Sequence, residues 1–191
     1  MARKKQFEEH EILTKATDLF WKQGFHATSI QDLVNHLKIN RASLYDTFGG
    51  KEELFNKALE NYRNQNKEAI KIFLEKQTSI KEGLKNLFLL AITGEKTHQE
   101  KGCFVINCMT ELIPNNSTML EIAIQNKEEF EGFFIEYLKK GVKNGEISPQ
   151  KNIESIASFL FMFYSGLKVV VKTNPSKEEL EKTIEVGLSV L

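Results

Sequence analysis

The most reactive side chains in the sequence are those of its two cysteines, Cys103 and Cys108. Cys103 follows Lys101 and Gly102 at the start of an apolar helical pattern, where a helix dipole and a nearby cation favour thiolate. Five residues of helix place the two positions about 8–9 Å apart and about 140° around the axis. A disulfide needs Cα atoms within roughly 7 Å, so a bridge inside the helix would require unwinding. The pair points to modification of one thiol or to a bond between subunits, and the competing reading is two small buried apolar groups. His98 beside these cysteines is too sparse for a metal site, and His10, His26 and His36 show no ligand-like pairing. No metal and no cofactor are expected. Nothing resembles a nucleophile elbow, a phosphate loop or paired catalytic carboxylates, and Glu128, Glu129 and Glu131 read as a solvated helix face. Enzymatic chemistry is therefore not expected.

A second constellation lies between residues 28 and 51. Asn40, Arg41, Ser43, Tyr45 and Asp46 combine donors for phosphate oxygens with one guanidinium able to reach a guanine edge. Thr28 stands at one helix start and Lys51 at another, where free backbone N–H groups suit an anion. Bulk charge does not drive this chemistry, since 26 basic and 26 acidic residues cancel. The balance is local: residues 1–51 carry Arg3, Lys4, Lys5, Lys15, Lys22, Lys38, Arg41 and Lys51 against six acidic groups.

The elements that must hold these groups are helical throughout. Apolar residues recur at three- and four-residue spacing, as in Ile12, Ala16, Leu19 and Phe20, and no stretch alternates with a period of two. Thr28, Asn40, Ser79 with Glu82, and Ser176 with Glu179 mark helix starts, while Gly24, Gly94 and Gly145 mark stops. The spacing predicts helices near 7–23, 29–36, 40–46, 51–75, 79–95, 103–112, 117–144, 150–172 and 177–190. Pro114, Pro149 and Pro175 fall between them. In the 28–48 stretch, Ile30, Leu33 and Val34 face inward from one short helix and Leu44 and Phe48 from the next, with Leu37 and Ile39 anchoring the turn. That is helix-turn-helix geometry, which holds the second helix proud enough to enter a major groove.

The opening Met-Ala-Arg-Lys-Lys predicts no secretory leader. The longest uncharged run, Ser155 to Leu167, falls short of the roughly 20 residues a bilayer demands. A soluble, cytoplasmic protein without membrane association is expected, and two cysteines agree with a reducing compartment.

Thr28-Ser29-Ile30, Asp32-Leu33, Asn40-Arg41-Ala42-Ser43-Leu44-Tyr45, Phe48 and Gly50-Lys51-Glu52-Glu53-Leu54 together resemble the DNA-binding pattern of the TetR family of bacterial transcriptional regulators. Ala16, Phe20, Gly24 and Phe25 fit its first helix. The resemblance implies an all-α protein, with a helix-turn-helix DNA-binding domain over residues 1–50 and a helical effector-sensing and dimerisation domain over 51–191. It implies a regulator, in the main a repressor, that binds a palindromic double-stranded operator as a homodimer and is released by a small apolar or aromatic ligand or by cysteine modification. Carried over by position, Thr28, Ser43, Tyr45 and Lys51 are expected as phosphate contacts, Asn40, Arg41 and Ala42 at the start of the recognition helix as candidates to meet bases, and Ser29 as a further member of the DNA-binding set. Two departures stand out. Lys38 replaces the Gly common in the turn, and Asp46-Thr47 replace an aromatic residue and a His, which leaves Asp46 to cap, or to pair with Lys51 or Arg41.

By the same resemblance the last two helices form the dimer face, with Ile156, Leu160, Tyr164, Leu167, Leu180, Ile184 and Leu188 as candidates; otherwise these residues are protomer core. Cys103, Cys108, Phe88, Phe104, Met109, Phe130, Phe134 and Phe161 are the candidates for an effector or redox site, though large soft side chains also build solid cores. The rival reading is a helical adaptor or small enzyme carrying a degenerate DNA-binding module.

Overall fold

The computed structural model describes residues 9–93 and 96–191 and is helical along its length. Among the described residues ten α-helices follow in order: α1 (Glu9–Gln23), α2 (Ile30–Leu37), α3 (Arg41–Phe48), α4 (Lys51–Glu75), α5 (Ile80–Thr93), α6 (Lys96–Lys101), α7 (Phe104–Leu112), α8 (Ser117–Asn144), α9 (Ile153–Val170) and α10 (Lys177–Gly187). Short 3-10 turns follow α7, α9 and α10. Helix α6 has no counterpart in the sequence expectation, because Lys-Thr-His-Gln-Glu-Lys carries no apolar periodicity to betray it. Gly94, residues 7 and 8, and the basic trio Arg3, Lys4 and Lys5 lie outside the described residues.

Local chemistry sets the helix ends. Ser29, not Thr28, caps α2: its Oγ accepts from the Asp32 N–H while the Asp32 carboxylate accepts from the Ser29 N–H, a reciprocal box. Asn40, Asn116, Asn152 and Ser176 cap α3, α8, α9 and α10 in the same way, each accepting from the N–H three residues on. Two of these, Asn116 and Asn152, are absent from the sequence expectation.

Apolar burial divides into two clusters that share α4. The first joins Ile12, Ala16 and Phe20 of α1 to Leu33, Leu37, Leu44 and Phe48 of the short helices and to Leu54–Leu59 of α4. Helix α7 is part of this cluster, through Phe104, Val105, Cys108 and Leu112. Ile30, Val34 and Ile39 pack against its edge. The second cluster joins the far end of α4 (Ile70, Leu74) to α5, α8, α9 and α10. Phe20, Leu33 and Leu44 are at most 1% exposed, and each such side chain contributes about 1.5–3 kcal/mol by leaving water.

By length and composition the span Ile153–Thr173, with a mean hydropathy of 1.4, could cross a bilayer. In the fold Ile156, Leu160 and Leu167 of α9 are core, while Met162, Val169 and Val170 on its other side remain exposed. Helix α9 is therefore apolar on two faces. An added Cβ at Gly187 of α10 would sit 2.7 Å from the Phe163 ring, so this glycine lets the ring of α9 lie against α10. Val186, beside it, is 72% exposed.

Candidate functional site

Helix α3 is held on its inner side by Leu44 and Phe48, each 2% exposed or less, and turns Arg41, Ala42, Tyr45 and Asp46 outward. The Arg41 guanidinium lies 5.9 Å from the centre of the Tyr45 ring, close enough for a cation–π contact that extends the guanidinium along the helix. Asn40 has its Oδ1 committed to the Ser43 N–H at 2.8 Å, so this side chain starts the helix and leaves only its amide nitrogen for other contacts. Ser43 is half-buried and Ser29 is exposed.

Thr28 departs from expectation. It is fully buried, and its hydroxyl donates to the Gly24 carbonyl at 2.6 Å, closing the loop between α1 and α2 instead of presenting itself outward. Lys38, at the turn, takes φ 54° in the left-handed region. A non-glycine residue pays about 1–2 kcal/mol for that conformation, and here it is the geometry that lets α3 leave α2 at a sharp angle. Asp46 is exposed and forms no ion pair or hydrogen bond among the described residues, so the expected pairing with Lys51 or Arg41 is not made.

Lys51 begins α4, whose N-terminal residue Gly50 supplies no side-chain cap. Its Nζ lies 4.3 Å from the centre of the Phe25 ring. Burial draws the Lys51 pKa down, and the Glu111 carboxylate opposes that shift. Glu111 is itself a tie between α7 and the loop that joins α1 to α2: its oxygens accept from the backbone N–H of Phe25 at 3.0 Å and of His26 at 2.7 Å. Gly24 has φ 85°, and a Cβ there would press on this carboxylate at 2.9 Å. The other end of α7 is tied as well. Lys101 pairs with Asp18, and its carbonyl accepts from the Trp21 indole at 3.2 Å and from Asn107 at 2.8 Å. Lys172 closes the chain of bonds by donating to Asn107 Oδ1 at 3.1 Å. Apart from the Asn107–Lys101 bond, sequence spacing carries no signal for these ties, because their partners lie more than 60 residues apart.

The effector candidates separate into two groups. Phe88, Phe104, Phe134 and Cys108 are at most 2% exposed and belong to the cores. Burial pushes the Cys108 thiol far above its ordinary pKa, which keeps it protonated and poorly nucleophilic. Cys103, Met109, Phe130 and Phe161 converge instead on one cavity of about 270 Å3, together with Tyr62, Asn66, Asn126, Tyr164 and Lys168. The sequence reading missed Lys168, whose one available signal was its position as the first charge after a 13-residue uncharged run. Both cysteines are free thiols. Among the described residues no cluster of three His, Cys, Asp or Glu side chains could hold a metal ion.

The dimer-face candidates take the alternative place the sequence left open for them, in the protomer core. Ile156, Leu160, Tyr164, Leu167, Leu180, Ile184 and Leu188 are all 8% exposed or less and fill the protomer interior. The outward apolar positions on these two helices are Met162, Val169, Val170 and Val186.

The family description "Bacterial regulatory proteins, tetR family" matches residues 12–58. The chain is 30% identical over 193 residues to the HTH-type transcriptional regulator YezE of Bacillus subtilis, covering the whole of both chains. It is 31% identical to the HTH-type transcriptional repressor ComR of Escherichia coli, over 93% of this chain and 86% of that one. Among solved structures it is similar to a cysteine mutant of the TetR-family regulator CifR complexed with 26-bp operator DNA, with 25% identity, 98% coverage of each chain and a TM-score of 0.86.

Proposed function

Because the chain belongs to the tetR family of bacterial regulatory proteins and is a DNA-binding transcriptional regulator, we propose that it acts as a homodimeric repressor holding a palindromic operator through two copies of α3. Residues 1–50 supply the DNA-binding unit, and residues 51–191 sense an effector and dimerise. The observation that carries this reading is the outward set Arg41, Ala42, Tyr45 and Asp46 on a short helix pinned from behind by Leu44 and Phe48. Arg41 is assigned to base edges, with Ser29, Ser43, Tyr45 and Lys51 on phosphates. The dimer face is assigned to Met162, Val169, Val170 and Val186, since exposed apolar groups on two adjacent helices fit a partner that covers them. The effector site is the cavity walled by Cys103, Met109, Phe130 and Phe161, from which α7 leads to the loop at Gly24–His26.

Selection of bound fragments from a random duplex pool tests the reading directly. A palindromic winner is expected, and Arg41→Ala should bind it about tenfold more weakly while relaxing preference at one base position of each half-site. An unchanged sequence profile for Arg41→Ala would remove its base-reading role, and no selective winner would remove the DNA-binding assignment of α3.

Asp46 gives a second expectation. It places an unpaired negative charge on the surface assigned to phosphates, so Asp46→Asn should tighten operator binding about threefold to tenfold at low salt, with the gain shrinking as salt rises. Equal affinities at every ionic strength would place Asp46 away from the DNA.

A further inference from the structure

The effector cavity does not end at Cys103. A second chamber of about 350 Å3, lined by Ile70, Phe73, Leu87, Leu90 and Ala91, shares Asn66, Tyr164 and Lys168 with the first. These three side chains therefore stand where the two spaces meet. The first space is bounded by Phe130, Phe161 and Met109 and the adjoining one by Ile70, Phe73 and Leu87 of α4 and α5.

At the meeting point Asn66 and Lys168 have no hydrogen-bond or salt-bridge partner for their side chains among the described residues, and the nearby Asn126 is in the same position. Asn126 is only 8% exposed. Lys168 projects from the otherwise apolar helix α9, with its Nζ 5.4 Å from the centre of the Tyr164 ring, and it forms no salt bridge among the described residues. No Asp or Glu is among the described residues that line either chamber. The ammonium lies beside the Tyr164 ring face, and burial lowers its pKa, with Cys103 opposing that shift. Burial also raises the pKa of the Tyr62 and Tyr164 phenols, which keeps both hydroxyls neutral and able to donate.

We propose that this pair of adjoining cavities recognises an apolar monocarboxylate, with the carboxylate at Lys168 between the amides of Asn66 and Asn126 and the hydrocarbon or aromatic body in one of the two spaces. The assignment rests on the reading that this cavity is the effector site, and it names the ligand class. A neutral ligand would leave the lysine uncompensated, and an organic cation would be repelled by it. A dianion would meet a single positive charge in a largely apolar space and would keep too little of its hydration. One carboxylate restores the missing counter-charge and accepts from donors that are already in place.

Calorimetric titration of the full chain with phenylacetate, 4-phenylbutyrate and octanoate, each against its primary amide, tests the proposal without DNA. At least one acid should bind at least tenfold more tightly than its amide. Lys168→Met should erase that preference, Lys168→Arg should retain most of it, and Phe130→Ala should weaken acid and amide alike. Equal binding of acid and amide, an undiminished preference in Lys168→Met, or no binding of any acid at millimolar concentration would overturn the carboxylate assignment. The same acids added to a preformed operator complex report separately on the effector reading: an acid that binds calorimetrically yet leaves the DNA complex intact retires the cavity as the effector site while the ligand assignment stands.

Discussion

Val170→Glu combined with Val186→Glu is expected to turn the proposed dimer into monomers and to lower operator affinity by about a hundredfold to a thousandfold. Both positions are exposed, at 46% and 72%, so neither substitution disturbs the packing of the protomer. Surface changes of this kind ordinarily shift stability by less than about 0.5 kcal/mol. Across a two-fold axis, however, each glutamate meets its own copy or an apolar patch, and desolvating it there costs several kcal/mol. Once the dimer is lost, the second half-site is no longer delivered at the high effective concentration that linkage provides, a factor of about 10² to 10⁴. Sedimentation velocity and operator titration on the same samples read both effects. A double variant that sediments as a dimer, or one that is monomeric yet binds the operator undiminished, removes this face from the assembly.

Phe104→Ala should cost about 3–5 kcal/mol, the usual penalty for emptying a large aromatic site in a core. Its ring is 1% exposed and lies 5.6–6.2 Å, centre to centre, from Trp21, Phe55 and Tyr62, so α1, α4 and α7 all lose a packing partner at once. At roughly 2–4 °C per kcal/mol for a chain of this size, the melting temperature should fall by about 6–20 °C at equal protomer concentration. Phe104→Leu keeps most of the volume and should lose far less. Thermal unfolding followed by circular dichroism decides the matter. A fall of less than about 2 °C in Phe104→Ala would show that the ring is not a keystone of this junction.

The helix-turn-helix was legible because each of its short helices has one apolar side. Leu33, Leu37, Leu44 and Phe48 repeat at helical spacing among polar neighbours, and they are buried as that pattern requires. Helix α9 defeats the same logic. With Ile156, Leu160 and Leu167 on one side and Met162, Val169 and Val170 on the other, it carries two apolar stripes, and periodicity alone cannot say which of them the protomer keeps. Thr28 and Ser29 differ by a single position, yet one hydroxyl turns back to the Gly24 carbonyl and the other caps α2. Cys103, Met109, Phe130 and Phe161 were found as a class of soft side chains, whereas the split between cavity wall and solid core depended on how α4, α7, α8 and α9 converge. Glu111 gave no signal, since its partners are two backbone N–H groups far away along the chain.

Helix α4 has a mechanical consequence. It passes without interruption from the recognition unit into the second cluster, with Lys51 at its beginning and Tyr62 and Asn66 on the cavity wall. Asn66 and Lys51 are separated by about 22 Å of helix. A tilt of about 5° about the cavity end carries the Lys51 end sideways by about 2 Å, and in a two-fold dimer the separation of the two ends changes by up to twice that distance. Hydrogen bonds to base edges tolerate only a few tenths of an ångström. In the proposed dimer a ligand therefore need not reshape the reading head at all: a rod of this length would turn a small displacement deep in the protein into a gauge mismatch between the paired recognition helices and the grooves they must enter.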